Sequence, residues 1–202
     1  MFQQSVPANY STPTQSVNSD LYRLSLGGDK YLVVTRYRGV LKVHIRRYDV
    51  MEGERMYPTR YGVSFLPNRF ANLLNLEPAI TRRVNNRLGA GVDEEGCVKG
   101  EWRRHLGGGT FVVINQKIDS VNLRSYFRPD KDGVELPTRM GLTVPFSTWQ
   151  KLVDGLNIVH HMFPELRYAQ PCYASDDHAN QEGLMNCREC TPFGITYGND
   201  EQ

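Results

Sequence analysis

Three cysteines and a histidine near the C-terminal end are the residues best equipped to hold a metal. Cys187 and Cys190 are two residues apart, a spacing that lets both thiolates reach one ion, and Cys172 and His178 lie upstream. Together they would form a Cys3His set for a structural zinc. The upstream spacing is irregular, so plain reduced cysteines remain the competing reading, and the redox reading of Cys-x-x-Cys lacks thioredoxin-like surroundings. Cys97 stands alone, and four cysteines in 202 residues are too few for a disulfide scaffold. A reducing compartment is the expectation. Motifs for covalent or phosphoryl chemistry are missing from the sequence. The glycine runs at Gly27 and Gly107 lack Gly-Lys-Ser/Thr and precede strand-like segments. There is no Gly-x-Ser-x-Gly, no His-Glu-x-x-His, and no His-x-Glu with Cys-x-x-Cys in deaminase order. His160 and His161 are adjacent on a helical stretch and point in different directions, which suits no shared ion. Apart from the zinc, no cofactor is expected, and the chain reads as a binder rather than an enzyme.

The groups suited to a polyanion are more numerous. Net charge is +2, but it is unevenly spread. From Asp176 onward six acids (Asp176, Asp177, Glu182, Glu189, Asp200 and Glu201) face a single base, Arg188, leaving +7 for the residues before them. A basic body with an acidic tail is compatible with nucleic-acid binding, and such a tail could compete for the basic surface; ordinary solubility charge explains it equally well.

These bases and aromatics fall into two copies of one pattern. Leu26-Gly27-Gly28-Asp29-Lys30-Tyr31-Leu32-Val33-Val34 recurs eighty residues later as Leu106-Gly107-Gly108-Gly109-Thr110-Phe111-Val112-Val113-Ile114. Val43-His44-Ile45-Arg46-Arg47-Tyr48 matches Val121-Asn122-Leu123-Arg124-Ser125-Tyr126, and Pro58-Thr59-Arg60-Tyr61-Gly62-Val63 matches Pro137-Thr138-Arg139-Met140-Gly141-Leu142. Phe70, Leu73 and Leu74 then match Trp149, Leu152 and Val153. Four blocks in one order, twice, establish an internal repeat.

Each copy reads as strands followed by a helix. Tyr31 to Tyr37 and Val40 to Tyr48 form a hairpin about Arg38-Gly39. Short strands are expected around Met56 and from Gly62 to Phe65, with Gly53 and Gly133 in polar turns. Alternation places Val112, Ile114, Val121 and Leu123 on one face, and Asn115, Lys117, Asn122 and Arg124 on the other. The same parity puts Thr35, Tyr37, Lys42, His44 and Arg46 on the outer face of copy one. Pro67 and Pro145 suit the first turn of a helix, whose apolar stripe holds Phe70, Leu73 and Leu74, or Trp149, Leu152, Val153 and Leu156. Pro78 is expected to end or kink the first helix and Gly155 to weaken the second. A sheet and a helix in about 60 residues bury little core. The expected fold is therefore α+β: two tandem ββββα modules, each an antiparallel sheet plus a helix, packed as an intramolecular pseudo-dimer. The organisation is a flexible tail at 1–20, modules at 21–88 and 102–165, a connector at 89–101, and an acidic Cys-containing tail at 166–202. Absence of a signal peptide or an apolar run of about 20 residues argues against membrane insertion and for an intracellular protein.

The order of these blocks resembles the transcriptional coactivator positive-cofactor-four family, over Tyr22 to Val84 and again over Trp102 to Phe163. The resemblance implies a dimeric curved-sheet fold that binds single-stranded DNA or melted duplex along sheet channels, a nuclear location, and contact with the transcription machinery. It assigns a stacking ring to Tyr37, phosphate contacts to Arg46 and Arg60, and, in copy two, Arg124, Phe127 and Arg139. Copy one has Asp49 where the second ring would be, and copy two has Lys117 where the first would be. Each copy thus keeps one of two rings.

The residues alone point the same way, since single strands are held by cations along phosphates and by aromatic faces on bases. Copy one has twelve Lys/Arg against five Asp/Glu and copy two has eight against five, so copy one should dominate. The expected activity is binding of single-stranded DNA or RNA through Tyr37, Lys42, Arg46, Arg60, Lys117, Arg124, Phe127 and Arg139. The alternative is a protein-interaction scaffold that keeps the fold and has lost strand binding.

Overall fold

The computed structural model describes residues 20–51, 56–88, 102–114, 118–130, 133–178 and 181–194. Residues 1–19 of the tail expected at 1–20, the connector at 89–101, the turn at Gly53 and the site residue Lys117 lie outside them.

The chain is α+β. Strands β1 (Tyr22–Gly27), β2 (Lys30–Tyr37), β3 (Val40–Val50) and β4 (Met56–Phe65) form one antiparallel sheet in sequential order, and helix α1 (Pro67–Leu88) follows. Strands β5 (Trp102–Gly107), β6 (Thr110–Ile114), β7 (Ser120–Phe127) and β8 (Leu136–Pro145) form a second, followed by α2 (Phe146–Met162). The two short strands expected around Met56 and from Gly62 are one continuous strand. The fourth strand of each sheet lies instead before the glycine turn, where Tyr22–Gly27 folds back on β2. Tyr22, Leu24 and Leu26 of β1 alternate inward with exposed Arg23, Ser25 and Gly27, a period-two signal confined to six residues.

The β2–β3 hairpin closes by a two-residue turn in which Arg38 and Gly39 both have positive φ, 50° and 80°. Two such residues match the right-handed twist of the flanking strands. Strand parity follows the sequence. Leu32, Val34, Val43 and Ile45 are buried on one face, while Thr35 pairs with Lys42 and Tyr31 with Arg46 on the other.

The Pro-Thr-Arg-x-Gly motif is an irregularity built twice. Arg46 pairs with Gly62 but Tyr48 with Pro58; Arg124 pairs with Gly141 but Tyr126 with Pro137. Each last strand thereby carries two extra residues, a bulge that accommodates a proline unable to donate a ladder bond.

Helix α1 runs through Pro78 to Leu88, so that proline does not end it. Gly155 lies inside α2 and is buried. A Cβ there would sit 2.5 Å from Leu24 Cδ2 and 2.8 Å from Leu32 Cδ2, in the first sheet. The helix of the second module thus lies against the sheet of the first, and glycine provides the clearance. In return α1 contacts β5, and β4 contacts β8. Trp149 Nε1 donates to Thr81 Oγ1 at 2.8 Å, joining the helices, and one contiguous core cluster draws residues from both modules.

The second module extends past residue 165. Helix α3 (Pro164–Arg167) crosses that expected boundary, and its Leu166 is buried in the shared core. Two 3-10 turns, Cys172–Ala174 and Asp176–His178, and helix α4 (Gln181–Asn186) follow. No helix among the described residues is long and apolar enough to cross a membrane.

Candidate nucleic-acid interface and metal centre

Each bulge fixes one arginine. In the first sheet Thr59 Oγ1 donates to Arg47 O at 2.9 Å and accepts the Tyr61 N–H at 3.1 Å. That turns the Thr59 carbonyl toward Arg46, whose Nη1 donates to it at 3.2 Å. In the second, Thr138 Oγ1 donates to Ser125 O at 2.8 Å and accepts Met140 N–H at 3.0 Å, and Arg124 Nη1 donates to Thr138 O at 2.6 Å. The motif's glycine makes room for the arginine. A Cβ at Gly62 would run into Arg46 Cβ and Cα and Ile45 O, and one at Gly141 would lie 2.8 Å from Arg124 Cγ. The motif's threonine and glycine and the arginine of the neighbouring strand are therefore parts of one device, which holds a half-buried guanidinium on the outward sheet face.

The surroundings of the two guanidinium groups differ. Arg46 Nη2 donates to Ser64 Oγ, and its Nε is buried without a hydrogen-bond partner among the described residues. Burial lowers the Arg46 pKa below the usual guanidinium value. Beside it, His44 bridges Thr35 Oγ1 through Nε2 (2.9 Å) and Ser64 Oγ through Nδ1 (2.8 Å). Burial, reinforced by Arg46 and Lys42, brings the His44 pKa down to about 4, so it is neutral at pH 7. In the second sheet Asn122 takes that place. It donates to Thr143 Oγ1 at 2.9 Å and accepts from Arg124 Nε at 3.1 Å.

The other expected contact residues are spread over the two sheets. Tyr37 is exposed (43%) at the β2–β3 turn, with Lys42 Nζ 6.0 Å and Arg38 5.2 Å from its ring centre. Arg60 is exposed on the bulge, 5.7 Å from the Tyr61 ring, which Arg47 also approaches at 5.8 Å. Phe127, at the end of β7, is 46% exposed, and Arg139 is exposed on the second bulge. Tyr37, Lys42 and Arg46 thus share one outward face, with Arg60 at its edge. Arg124, Phe127 and Arg139 stand on the corresponding parts of the other sheet.

The structure adds a cluster that the sequence reading did not name. Arg23 lies 5.7 Å from the Tyr31 ring centre and 4.8 Å from that of Tyr48, and the two rings meet edge-on at 5.5 Å. Arg103 lies 3.8 Å from Phe111 and 4.1 Å from Tyr126, whose rings meet edge-on at 5.2 Å. Carrying the eighty-residue spacing back four residues from Leu26 and Leu106 would have aligned Tyr22-Arg23 with Trp102-Arg103 and found both cations. The partners of these cations differ. Arg23 pairs with Asp20; Arg103 pairs with Glu135, which also takes Arg128 Nη2 at 3.2 Å.

The C-terminal residues form a second centre. The ligand atoms of Cys172, His178, Cys187 and Cys190 all lie within 4.8 Å of one another. Cys172 Sγ and Cys187 Sγ are 3.7 Å apart, too far for a disulfide bond and close to the ~3.8 Å that a tetrahedral centre with Zn–S of about 2.3 Å requires. His178 Nε2 is 3.9 Å from Cys190 Sγ, while its Nδ1 is bonded to Ser175 Oγ at 2.6 Å, so a second group orients the ring. Burial works against the Cys187 thiolate, but backbone N–H groups of Cys190 and Glu189, with His178, bring its pKa down to about 7. Burial, then Cys172, pushes the Cys190 thiol up to about 12. Without an ion the cluster cannot carry several thiolates at once; a divalent cation offsets that repulsion.

No protein-family model matches the chain, and no curated protein matches it.

Proposed function

We propose that this protein binds single-stranded nucleic acid, or duplex that has been melted, through the outward faces of its two sheets. The carrying observation is the arginine held identically in both sheets by a threonine carbonyl, beside exposed rings and bases. A guanidinium fixed in place loses little freedom on meeting a phosphate, and an exposed ring beside it offers a base a stacking surface. Tyr37, Lys42, Arg46 and Arg60 make up the stronger half; Arg124, Phe127 and Arg139 make up the weaker. The two modules act as an intramolecular pseudo-dimer, with the mutual packing of α2 on β1 and of α1 on β5 supporting that reading. The block order that resembles the positive-cofactor-four family supports a role in transcription or genome maintenance. The Cys172, His178, Cys187 and Cys190 cluster is a structural zinc site.

The test is a gel shift with a labelled strand of about 20 nucleotides against the matching duplex, over a range of salt. Affinity should favour the strand and fall steeply with salt, because phosphate contacts release counterions. Failure to bind either form would leave the fold as a protein-interaction scaffold. Two modules that tumble independently in relaxation measurements would refute the pseudo-dimer.

A further inference from the structure

The C-terminal segment makes contacts that neither the strand-binding face nor a metal site requires. Glu189, between two of the clustered cysteines, is held by Arg69 of α1, with Nη2 donating to Oε2 at 2.7 Å. Its carbonyl accepts the N–H of Gly108, in the β5–β6 turn, at 2.8 Å. Three residues past Cys190, the Phe193 ring lies parallel to Phe111, 6.4 Å between centres and 2° between planes. Its carbonyl accepts from Arg128 Nη1 at 3.0 Å, and the same guanidinium lies 5.4 Å from its ring. Phe193 therefore lies over the aromatic cluster of the second sheet.

The segment has no core of its own to hold it there. Among the described residues of 172–194, none is fully buried. A stretch that buries so little cannot offset its own ordering entropy, and metal ligation is the usual substitute. The two copies differ at the turn that receives it. Gly109 has φ +76°, and a Cβ there would lie 3.3 Å from Phe193 Cζ; copy one has Asp29 at that position. At Gly27 and Gly28 of the first sheet nothing lies within 4 Å of a Cβ.

We propose that Zn2+ held by Cys172, His178, Cys187 and Cys190 folds residues 172–194 into a strap that seats Phe193 on the second sheet, so that the zinc-loaded protein offers nucleic acid the first sheet and withholds the aromatic end of the second. This rests on the zinc and strand-binding readings above and assigns them to one device. The strap is part of the chain, so its local concentration is high and it needs only weak contacts to exclude an incoming base. Loss of the ion removes what orders it, and Phe111, Tyr126 and Arg103 then become accessible.

Two measurements on the full-length protein decide it. The first is amide exchange at Gly108 and Gly28, in zinc-loaded protein and after stripping with a chelator, with metal analysis of both. Exchange at Gly108 should rise about ten-fold or more on stripping while Gly28 stays unchanged. Equal exchange at Gly108 in the two forms overturns the strap, and protein prepared without chelator that holds no zinc overturns the metal. The second is a titration with a strand of about ten nucleotides, within the usual site size of such a face. Wild type should take one strand per chain. Phe193→Ala, which keeps all four ligands and should keep its zinc, should take two, and adding Phe127→Ala should remove the second. Unchanged stoichiometry in zinc-replete Phe193→Ala overturns the withholding role. No binding in either protein overturns the strand-binding reading and the withholding role with it, while exchange at Gly108 still decides whether zinc folds the strap.

Discussion

At the first turn of each sheet the two halves of the molecule diverge. Around Gly27 and Gly28 there is open space, whereas Gly107, Gly108 and Gly109 are met by Glu189, Arg69 and Phe193. The strands behind these turns keep the same register, the same bulge and the same arginine on the same carbonyl. The divergence is therefore in what covers the face rather than in how the face is built. In the second sheet Arg103 and Arg128 are paired to Glu135 and Phe111 is overlaid by a ring. In the first sheet Tyr37 and Arg60 stand exposed and His44 is neutral between two hydroxyls. A duplicated module can keep its backbone device in both copies while the C-terminal segment covers one end of a single copy.

The largest expected contrast concerns the bulge glycines. Gly62→Ala puts a methyl against the Arg46 backbone and should cost about 3 kcal/mol or more in denaturant unfolding. At Gly141 the contacts are wider, 2.8 Å to Arg124 Cγ and 2.9 Å to Arg124 Cβ and to Leu123 O, so Gly141→Ala should cost less, about 1–2 kcal/mol. Equal costs would mean that the clearance around the two bulge glycines does not differ as the structure has it.

Acid stability should separate the faces next. His44 has a folded pKa of about 4 against an ordinary value of 6.5. Between those values the unfolded chain binds a proton that the folded chain does not, so stability is full above pH 6.5 and falls as pH drops toward 4. The loss should reach up to about 3 kcal/mol, by the equivalence of one pKa unit to 1.36 kcal/mol. His44→Asn, which installs the second sheet's residue, should flatten that part of the stability profile. A wild-type and variant pair with parallel pH profiles would remove His44 as the cause.

Strand affinity gives a smaller contrast. Tyr37→Ala should weaken single-strand binding by about 1–3 kcal/mol, the usual worth of a stacked base. Phe127→Ala in the zinc-loaded protein should change it by less than about 0.5 kcal/mol, as for an uninvolved surface residue. Comparable losses at both rings would show two open faces. The finest contrast is in salt dependence. In the zinc-loaded protein Arg46→Ala should flatten the slope of log affinity against log salt by about 0.7, one phosphate contact on a single strand, and Arg124→Ala should leave it unchanged. Folded state should be checked by circular dichroism in each case, because both guanidinium groups also bind the bulge.

Much of the architecture was legible in the residues because it depends on local pattern. Period-two alternation placed Thr35, Lys42, His44 and Arg46 together on one face, and the repeat pointed to two sheet-and-helix units. Cys187-x-x-Cys190 with Cys172 and His178 anticipated a cluster, which the fold brings within 4.8 Å. Strand β1 alternates but spans only six residues ahead of the glycine turn, and the single strand β4 was divided in two because Pro58 and the bulge interrupt its period.

Gly155 marks where local reading stops. In the sequence it is a flaw in a helix; in the fold it is the clearance that lets α2 approach Leu24 and Leu32 of the other module. The same holds for the third glycine of the second turn. Gly-Gly-Asp and Gly-Gly-Gly are both competent turns, and nothing within either copy says which will receive Phe193. Spacing and alternation marked the central hairpins, the repeated arginine and the Cys/His cluster, since those follow largely from nearby residues. Only the tertiary structure decided which helix crosses which sheet and which face the C-terminal segment covers. Those outcomes depend on contacts between residues about 80 to 130 positions apart, such as Phe111 with Phe193 and Arg69 with Glu189, whose free energy no local pattern encodes.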